Sequence, residues 1–484
     1  MESSKNATTR QLKNKNTLNM NVILICVDQM RADTIAALGN NQINTPNLDN
    51  LIHESFVFLN HYSAGSPCGP ARTSLFTGQY PSTHGSFHKS RPLQSETNLA
   101  LELKKHQIPS SLFGYTDTTY STLSQKSEDI MSGFNVQTYM NLHEVGLQSW
   151  MKFLRKQNIS VPTKAMDIYK LPILPYDSSN SDTAFLTDQA INFINNHQSF
   201  GFLHLAYFRP HPPFVAPNPF SNSYQDLVIK KPSTRLEDFI SMHPLHHALF
   251  ENVYGQQFQG LHPRTIEKQL LAKFASDQAE YYALISELDL HIGRLIGCLK
   301  DKNLFDDTMF IFTSDHGELL GKNWLYEKGG YFDSSFHVPL IFKLPKSIKK
   351  RSPKIFTEPY TSSIDLMPTI LTLLGISIPK NVQGQSFSNL MVKSENNHKY
   401  RTKVCFENFD YIDKVHFNRS AVIKDNDYKY VHCSHYDDLF FDLNLDPSEN
   451  QNLAKIPRYA SLIDEYKNAL KHEQLLSIKE CFKT

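Results

Sequence analysis

The stretch Ser66-Pro67-Cys68-Gly69-Pro70-Ala71-Arg72-Thr73-Ser74-Leu75-Phe76-Thr77-Gly78 sets a cysteine, two prolines and an arginine at the mouth of a helix. Pro67 and Pro70 disfavour helix up to the cysteine, and the residues from Ala71 to Phe76 can then start one. Cys68 is therefore expected near a helix N-terminus, where unpaired backbone N–H groups and the dipole favour an anion. Arg72, one turn on, is expected to point its guanidinium toward the same spot. A cysteine placed this way can serve as a nucleophile on an anionic substrate.

Two other places combine a carboxylate with a neighbouring donor. Asp28-Gln29 and Asp315-His316 supply two carboxylates, one amide and one imidazole, a set that can hold a divalent metal beside residue 68. Calcium prefers an all-oxygen shell, whereas this mixed set suits manganese, iron or zinc better. In Arg209-Pro210-His211-Pro212-Pro213-Phe214 the prolines fix an imidazole rigidly. Lys89, in Phe87-His88-Lys89-Ser90-Arg91, is either a surface charge or a cation for the substrate. His243, His246 and His247 flank Pro244 in an irregular segment and are read as structural.

The elements that position these groups are legible from periodicity. Residues 21–27 are continuously apolar and β-branched, which suits a strand buried on both faces of a parallel sheet, and the run ends at Asp28. Residues 201–208 run likewise into Arg209, and residues 309–314 into Asp315. In open α/β sheets ligands gather at the carboxyl ends of strands, so all three ends are site candidates by position. From Arg264 to Lys300 apolar residues recur at helical spacing, predicting a long packing helix or a broken pair.

Cys68-x-Pro70-x-Arg72, followed by Thr77-Gly78, Tyr80-Pro81 and His84-Gly85, resembles the signature of the type I sulfatases of the alkaline phosphatase superfamily. The blocks around Asp28, Thr45-Pro46-Asn47-Leu48-Asp49, Asp315-His316-Gly317, Lys328 and Leu439–Leu453 follow in that family's order. The resemblance implies an alkaline phosphatase-like α/β fold: a mixed, mostly parallel sheet sandwiched by helices, with a smaller C-terminal α+β subdomain. The expected division is a flexible tail over 1–19, a catalytic domain over 20–395 and the subdomain over 396–484.

For chemistry, the resemblance implies that Cys68 is oxidised to formylglycine by a formylglycine-generating or sulfatase-maturing enzyme. Its hydrate can attack sulfur or phosphorus and later expel the product by regenerating the aldehyde. Asp28, Gln29, Asp315, His316 and residue 68 itself are then the metal ligands. Arg72 and Lys328 are implied as cations on the non-bridging oxygens, His211 as the acid for the leaving oxygen, and Lys89 and Tyr115 as substrate-binding residues.

Typical arylsulfatases continue the block Phe113-Gly114-Tyr115-Thr116 into Gly-Lys-Trp-His, where this chain has Asp117-Thr118-Thr119-Tyr120. That departure resembles the phosphonate monoester hydrolase and phosphodiesterase branch. The expected activity is metal-dependent hydrolysis of phosphonate monoesters and phosphate diesters, and also of sulfate monoesters. The alternatives are sulfuric ester hydrolysis as the main activity and a catalytically silent protein that binds anionic esters. Where many sulfatases carry Asp-Asp, Asp28-Gln29 has one charge less, which favours manganese, with zinc or iron next and calcium last.

Composition narrows the partners. The 484 residues carry 49 basic and 48 acidic side chains, a net +1, so nothing favours nucleic acid over a small anionic ester. Six scattered cysteines form no C-x-x-C pair and predict neither a disulfide scaffold nor a cysteine zinc site. No apolar run approaches a bilayer span and the first 19 residues lack a signal-peptide core, so a cytoplasmic enzyme without membrane attachment is expected, with homo-oligomerisation left open.

Overall fold

Eight strands build the main sheet of the computed structural model, which describes residues 20–86, 97–118, 130–171, 173–393, 400–411 and 417–476. They are β1 (Asn21–Asp28), β2 (Phe56–Tyr62), β4 (Ser110–Gly114), β5 (Asn135–Tyr139), β6 (Phe202–Pro210), β7 (Thr308–Ser314), β8 (Leu340–Lys343) and β9 (Lys354–Ser362). Their spatial order is β5-β4-β6-β1-β7-β8-β2-β9. Neighbours run parallel except where β8 lies antiparallel to both β7 and β2. The continuous apolar run of β1 has its predicted cause: the strand is central and every residue of it is buried. Ile23, Ile25 and Val27 face one core, and Val22, Leu24 and Cys26 face the other.

Helices cover both faces. Helices α1 (Pro46–His53), α3 (Asp182–Asn195) and α4 (Pro263–Asp301) pack on the first core, and α2 (Cys68–Thr77) and α5 (Leu366–Leu373) on the second. The segment read as one helix or a broken pair is a single helix of 39 residues, α4. Helix α2 starts at Cys68, three residues before the expected Ala71. A proline within the first turn loses no hydrogen bond, because the N–H it lacks would have had no helical partner, so Pro70 fits inside the helix. Gly78, at φ 66°, takes the left-handed turn that ends it.

The C-terminal unit is built on a second sheet. Strands β10 (Val404–Tyr411), β11 (Phe417–Lys424), β12 (Tyr428–Cys433) and β13 (Leu439–Asp442) are antiparallel, and α6 (Ala460–His472) packs on them through Tyr466 and Leu470. The edge strand was not expected: β3 (Gly65–Ser66) pairs parallel to β10 immediately before Pro67-Cys68, which completes the order β13-β12-β11-β10-β3. The second sheet thus braces the loop that leads into the cysteine. No helix among the described residues is long and apolar enough to cross a membrane. The tail over 1–19, Lys89 and Cys481 lie outside the described residues.

Candidate active site

Strands β1 and β7 are neighbours with Val27 opposite Ser314, so their carboxyl ends deliver Asp28 and Asp315 side by side with His316 next in line. Helix α2 brings Cys68 to them at its first position. One ligand atom from each of Asp28, Cys68, Asp315 and His316 lies within 4.8 Å of the others. Cys68 Sγ is 3.1 Å from His316 Nε2 and 3.7 Å from Asp28 Oδ1. His316 Nε2 in turn lies 3.6 Å from Asp28 Oδ1 and 3.8 Å from Asp315 Oδ1.

These residues fit a divalent cation. His316 Nδ1 donates to the Gly317 carbonyl at 2.9 Å, which leaves the Nε2 lone pair facing the other ligands. The Oδ2 atoms of both aspartates are engaged on the far side. Arg72 donates from Nε to Asp315 Oδ2 at 2.8 Å and from Nη2 to Asp28 Oδ2 at 3.3 Å, and the Tyr115 hydroxyl donates to the same Asp28 oxygen. The inward Oδ1 atoms are therefore oriented toward a common point by groups outside it.

Arg72 is wholly buried, with its guanidinium 4.2 Å over the Tyr115 ring, and its Nη1 has no hydrogen-bond partner. Burial alone would raise the Asp28 carboxyl, but the positive charges around it, Arg72 first and Lys328 with it, outweigh burial and hold the group below the usual range. Burial and then the Asp28 charge push the Cys68 thiol well up. A plain cysteine here is a protonated, poor nucleophile, so an anion-favouring helix terminus does not by itself activate it.

Above this cluster opens a cavity of about 1450 Å³, lined among others by Tyr115, Asp117, Phe208, His211, Phe214 and Lys328. Lys328 Nζ donates to Gln29 Oε1 at 2.8 Å and to His211 Nε2 at 3.2 Å. His211 Nδ1 donates to the Pro212 carbonyl at 2.7 Å, so its Nε2 is an acceptor. Burial, and after it the Lys328 charge, bring the His211 pKa down to about 3. The imidazole expected as an acid is thus neutral in this state, and the proton of the pair sits on Lys328.

The placement of the other expected residues is mixed. The Gln29 amide oxygen, expected on the metal, is engaged by Lys328; its NH2 donates to Glu318, and its backbone N–H gives 3.1 Å to Asp315 Oδ1. Tyr115 lines the cavity, but its hydroxyl serves Asp28 and Arg72. His243 and His246 are structural as read: the first caps the helix Pro244–Tyr254, and the second bonds Phe239 O and Tyr331 OH. Sequence reasoning assigned nothing to Glu318, although it directly follows Asp315-His316-Gly317. It also missed Asn408 and Asp410, which β10 brings into the cavity wall. Their only signal is topological.

Residues 20–376 match the family model described as Sulfatase. The chain belongs to the sulfatase family. Residues 321–475 also match the C-terminal model described as N-sulphoglucosamine sulphohydrolase. Among curated sulfatase relatives, the multifunctional alkaline phosphatase superfamily protein PehA of Trinickia caryophylli is 33% identical, covering 92% of this chain and 93% of that one. An arylsulfatase of Clostridium perfringens is 26% identical, covering 93% of each. Of solved structures, the phosphonate monoester hydrolase of Agrobacterium radiobacter superposes with a TM-score of 0.85 at 28% identity, over 96% of this chain and 97% of that one. The enzyme from Silicibacter pomeroyi gives 0.82 at 28% over the same shares. The protein is accordingly a hydrolase of the sulfatase family with the alkaline phosphatase-like fold. That family uses a divalent metal and a cysteine-derived formylglycine, and the Asp28–Cys68–Asp315–His316 cluster is where this chain can hold them.

Proposed function

We propose that this chain hydrolyses phosphonate monoesters and phosphate diesters, and sulfate monoesters as further substrates, once a maturing enzyme has converted Cys68 to formylglycine. The wall at residues 113–117 carries this reading. The lysine and histidine of the arylsulfatase pattern fall at Thr118, which is buried and bonds Thr116, and at Tyr120, outside the described residues, while the wall just before them presents Tyr115 and Asp117 to the cavity. A sulfate monoester has only oxygens around sulfur besides its leaving group. Phosphonates and diesters carry the same single negative charge on two non-bridging oxygens instead of three and bring one more organic substituent, so what they need beyond a sulfate monoester is room. The similarity to the two phosphonate monoester hydrolases supports the same branch.

The bound metal and the oxidised residue 68 would supply the nucleophile and offset charge at the tetrahedral centre. Arg72 and Tyr115 hold the outer oxygens of the aspartates, so the inner ones stay in place. Lys328 carries positive charge into the cavity, where it can stabilise charge that develops on the ester oxygens. The proton that the leaving oxygen takes comes from the Lys328–His211 pair, through whichever nitrogen the ester approaches. For the ion we propose manganese, with zinc or iron next: the set offers two carboxylates and one imidazole, and Gln29 is turned to Lys328.

The test is a side-by-side assay of metal-loaded protein, with Cys68 oxidation verified by peptide mass, on matched nitrophenyl sulfate, phenylphosphonate and phosphate diester. Faster phosphonate and diester cleavage is expected. A dominant sulfatase rate overturns the assignment and makes sulfate esters the main substrates.

A further inference from the structure

We propose that Glu318 is a positioning residue that orients the Gln29 amide, which in turn holds the Lys328 ammonium at the reacting ester. The inference rests on Lys328 acting in ester cleavage, and it assigns work to a side chain that touches neither metal nor substrate. Glu318 is fully buried. Its Oε1 accepts the backbone N–H of Leu320 at 2.8 Å and of Glu327 at 2.6 Å, which folds the loop between them back on itself and sets Lys328 at its end. Its Oε2 accepts from Gln29 Nε2.

A primary amide donates at one end and accepts at the other, whereas a carboxylate only accepts, and the two N–H groups on Oε1 with the amide NH2 on Oε2 favour that form of Glu318 against the burial that raises its pKa to about 7. Glu318 therefore takes the NH2 end of Gln29, and the carbonyl end is left for Lys328, which donates to it at 2.8 Å. The reverse orientation would set two acceptors together at Glu318 and two donors together at Lys328. The backbone gives Gln29 little freedom to escape this choice. It sits at φ 73°, in the left-handed region that side chains disfavour, and is held there by its N–H on Asp315 Oδ1 at 3.1 Å and by the Tyr281 hydroxyl on its carbonyl at 2.7 Å. The other contact of Lys328, His211 Nε2, is likewise an acceptor. The lysine is thus held by two acceptors whose orientation is set by groups behind them.

The direction of these bonds makes a test by exchange possible. In Glu318→Gln, the new carbonyl must stay on the Leu320 and Glu327 N–H groups, so its NH2 faces Gln29 and turns that amide's own NH2 toward Lys328. In Gln29→Glu, two carboxylates face each other. In the double variant Gln29→Glu/Glu318→Gln, the carboxylate now at position 29 accepts from both Lys328 and the amide now at position 318, and every bond has a donor and an acceptor again.

The measurement is kcat and KM of all four proteins, each with Cys68 oxidation and metal content determined by mass spectrometry. Each single variant is expected to lose about ten- to a hundredfold in kcat with KM changed little, less than outright removal of a transition-state donor costs. The double variant is expected to recover to within about tenfold of the parent, well above the product of the two single losses. A purely structural Glu318 would not be rescued by exchanging donor and acceptor. Wild-type kcat in Glu318→Gln, a double variant no better than that product, or a loss that follows metal depletion overturns the proposal. Should Glu318→Gln fail to fold, Gln29→Leu keeps the loop bonds of Glu318 and is expected to show the same kcat loss; wild-type kcat there overturns it equally. Lys328→Ala separates the two levels: undiminished turnover in that variant refutes the role of the lysine itself, whereas loss there with no loss in Glu318→Gln refutes only the role of Glu318.

Discussion

Two clusters of buried charge lie close together in this molecule. Around Cys68, Arg72 bridges Asp28 and Asp315, and Lys328 stands between Gln29 and His211. Around Asp333, five residues beyond Lys328, Lys424 of β11 and Lys429 of β12 both ion-pair with the one carboxylate, and Lys429 also reaches Glu449. The charges of Lys424 and Lys429 outweigh burial and hold Asp333 well below the carboxylate range, as Arg72 and Lys328 help to do for Asp28. By shifted acidity alone the two clusters look equally functional. What separates them is geometry. The Asp333 group sets two lysines against two carboxylates, lines no part of the cavity, and clasps the second sheet to the segment after Lys328. The Cys68 group leaves two carboxylate oxygens, an imidazole lone pair and a sulfur converging on one point below an open cavity. Buried ion pairs are weak evidence of function until atoms that can ligate converge on one point.

The comparison breaks if activity and stability do not separate between the clusters. The largest effect is expected for Cys68→Ala, which should abolish turnover while circular dichroism and melting stay near the parent; unchanged activity would remove residue 68 from the chemistry. Chelation of the matured enzyme should likewise silence it, with activity restored by one equivalent of metal, and manganese is expected to restore most. Lys328→Ala should cost about a hundred- to a thousandfold in kcat, the magnitude for loss of a charge-stabilising donor. Asp333→Asn should do the reverse. It leaves Lys424 buried without its partner and is expected to cost about 3 kcal/mol of unfolding free energy, read by denaturant titration, while kcat per folded molecule changes less than about twofold. A large kcat loss there would mean that the clasp belongs to the catalytic machinery.

A residue of neither cluster sharpens the contrast most gently. His204 of β6 is buried between Phe76 and Phe134, and burial, with the Arg72 charge second, takes its pKa from the ordinary 6.5 to about 3. The unfolded chain binds that proton first, so stability is whole above pH 6.5 and declines as pH falls toward 3, by about 1.4 kcal/mol per pH unit for one such group. His84 is shifted likewise to about 3 and adds to the same slope. His204→Phe should flatten the acid limb of stability against pH by about one proton; an unchanged slope would mean that His204 does not stay neutral when folded.

Much of the scaffold is legible in the sequence. Strand β1 and the strands beside it are buried on both faces, which forces near-continuous apolar runs, and those runs end on Asp28 and Asp315. Prolines and Gly78 punctuate the nucleophile helix, so its existence was clear and only its first three residues were misplaced. Four of the five expected metal ligands converge. Less legible was the edge strand β3, a pair of residues with no periodicity to reveal it. The Asp333 clasp was not legible at all, because lysines at positions 424 and 429 look like ordinary surface charge until a carboxylate from elsewhere meets them.

Sequence by itself determined which residues stand at the strand ends, because burial on both faces and turn chemistry act locally along the chain. Tertiary structure alone decided what each polar atom does there. That Gln29 turns its oxygen to Lys328, that Tyr115 serves Asp28, and that the His211–Lys328 proton rests on the lysine depend on partners 299, 87 and 117 positions apart in the chain. An amide's orientation and an imidazole's tautomer follow from the donors and acceptors around them in space, and no spacing along the chain encodes that.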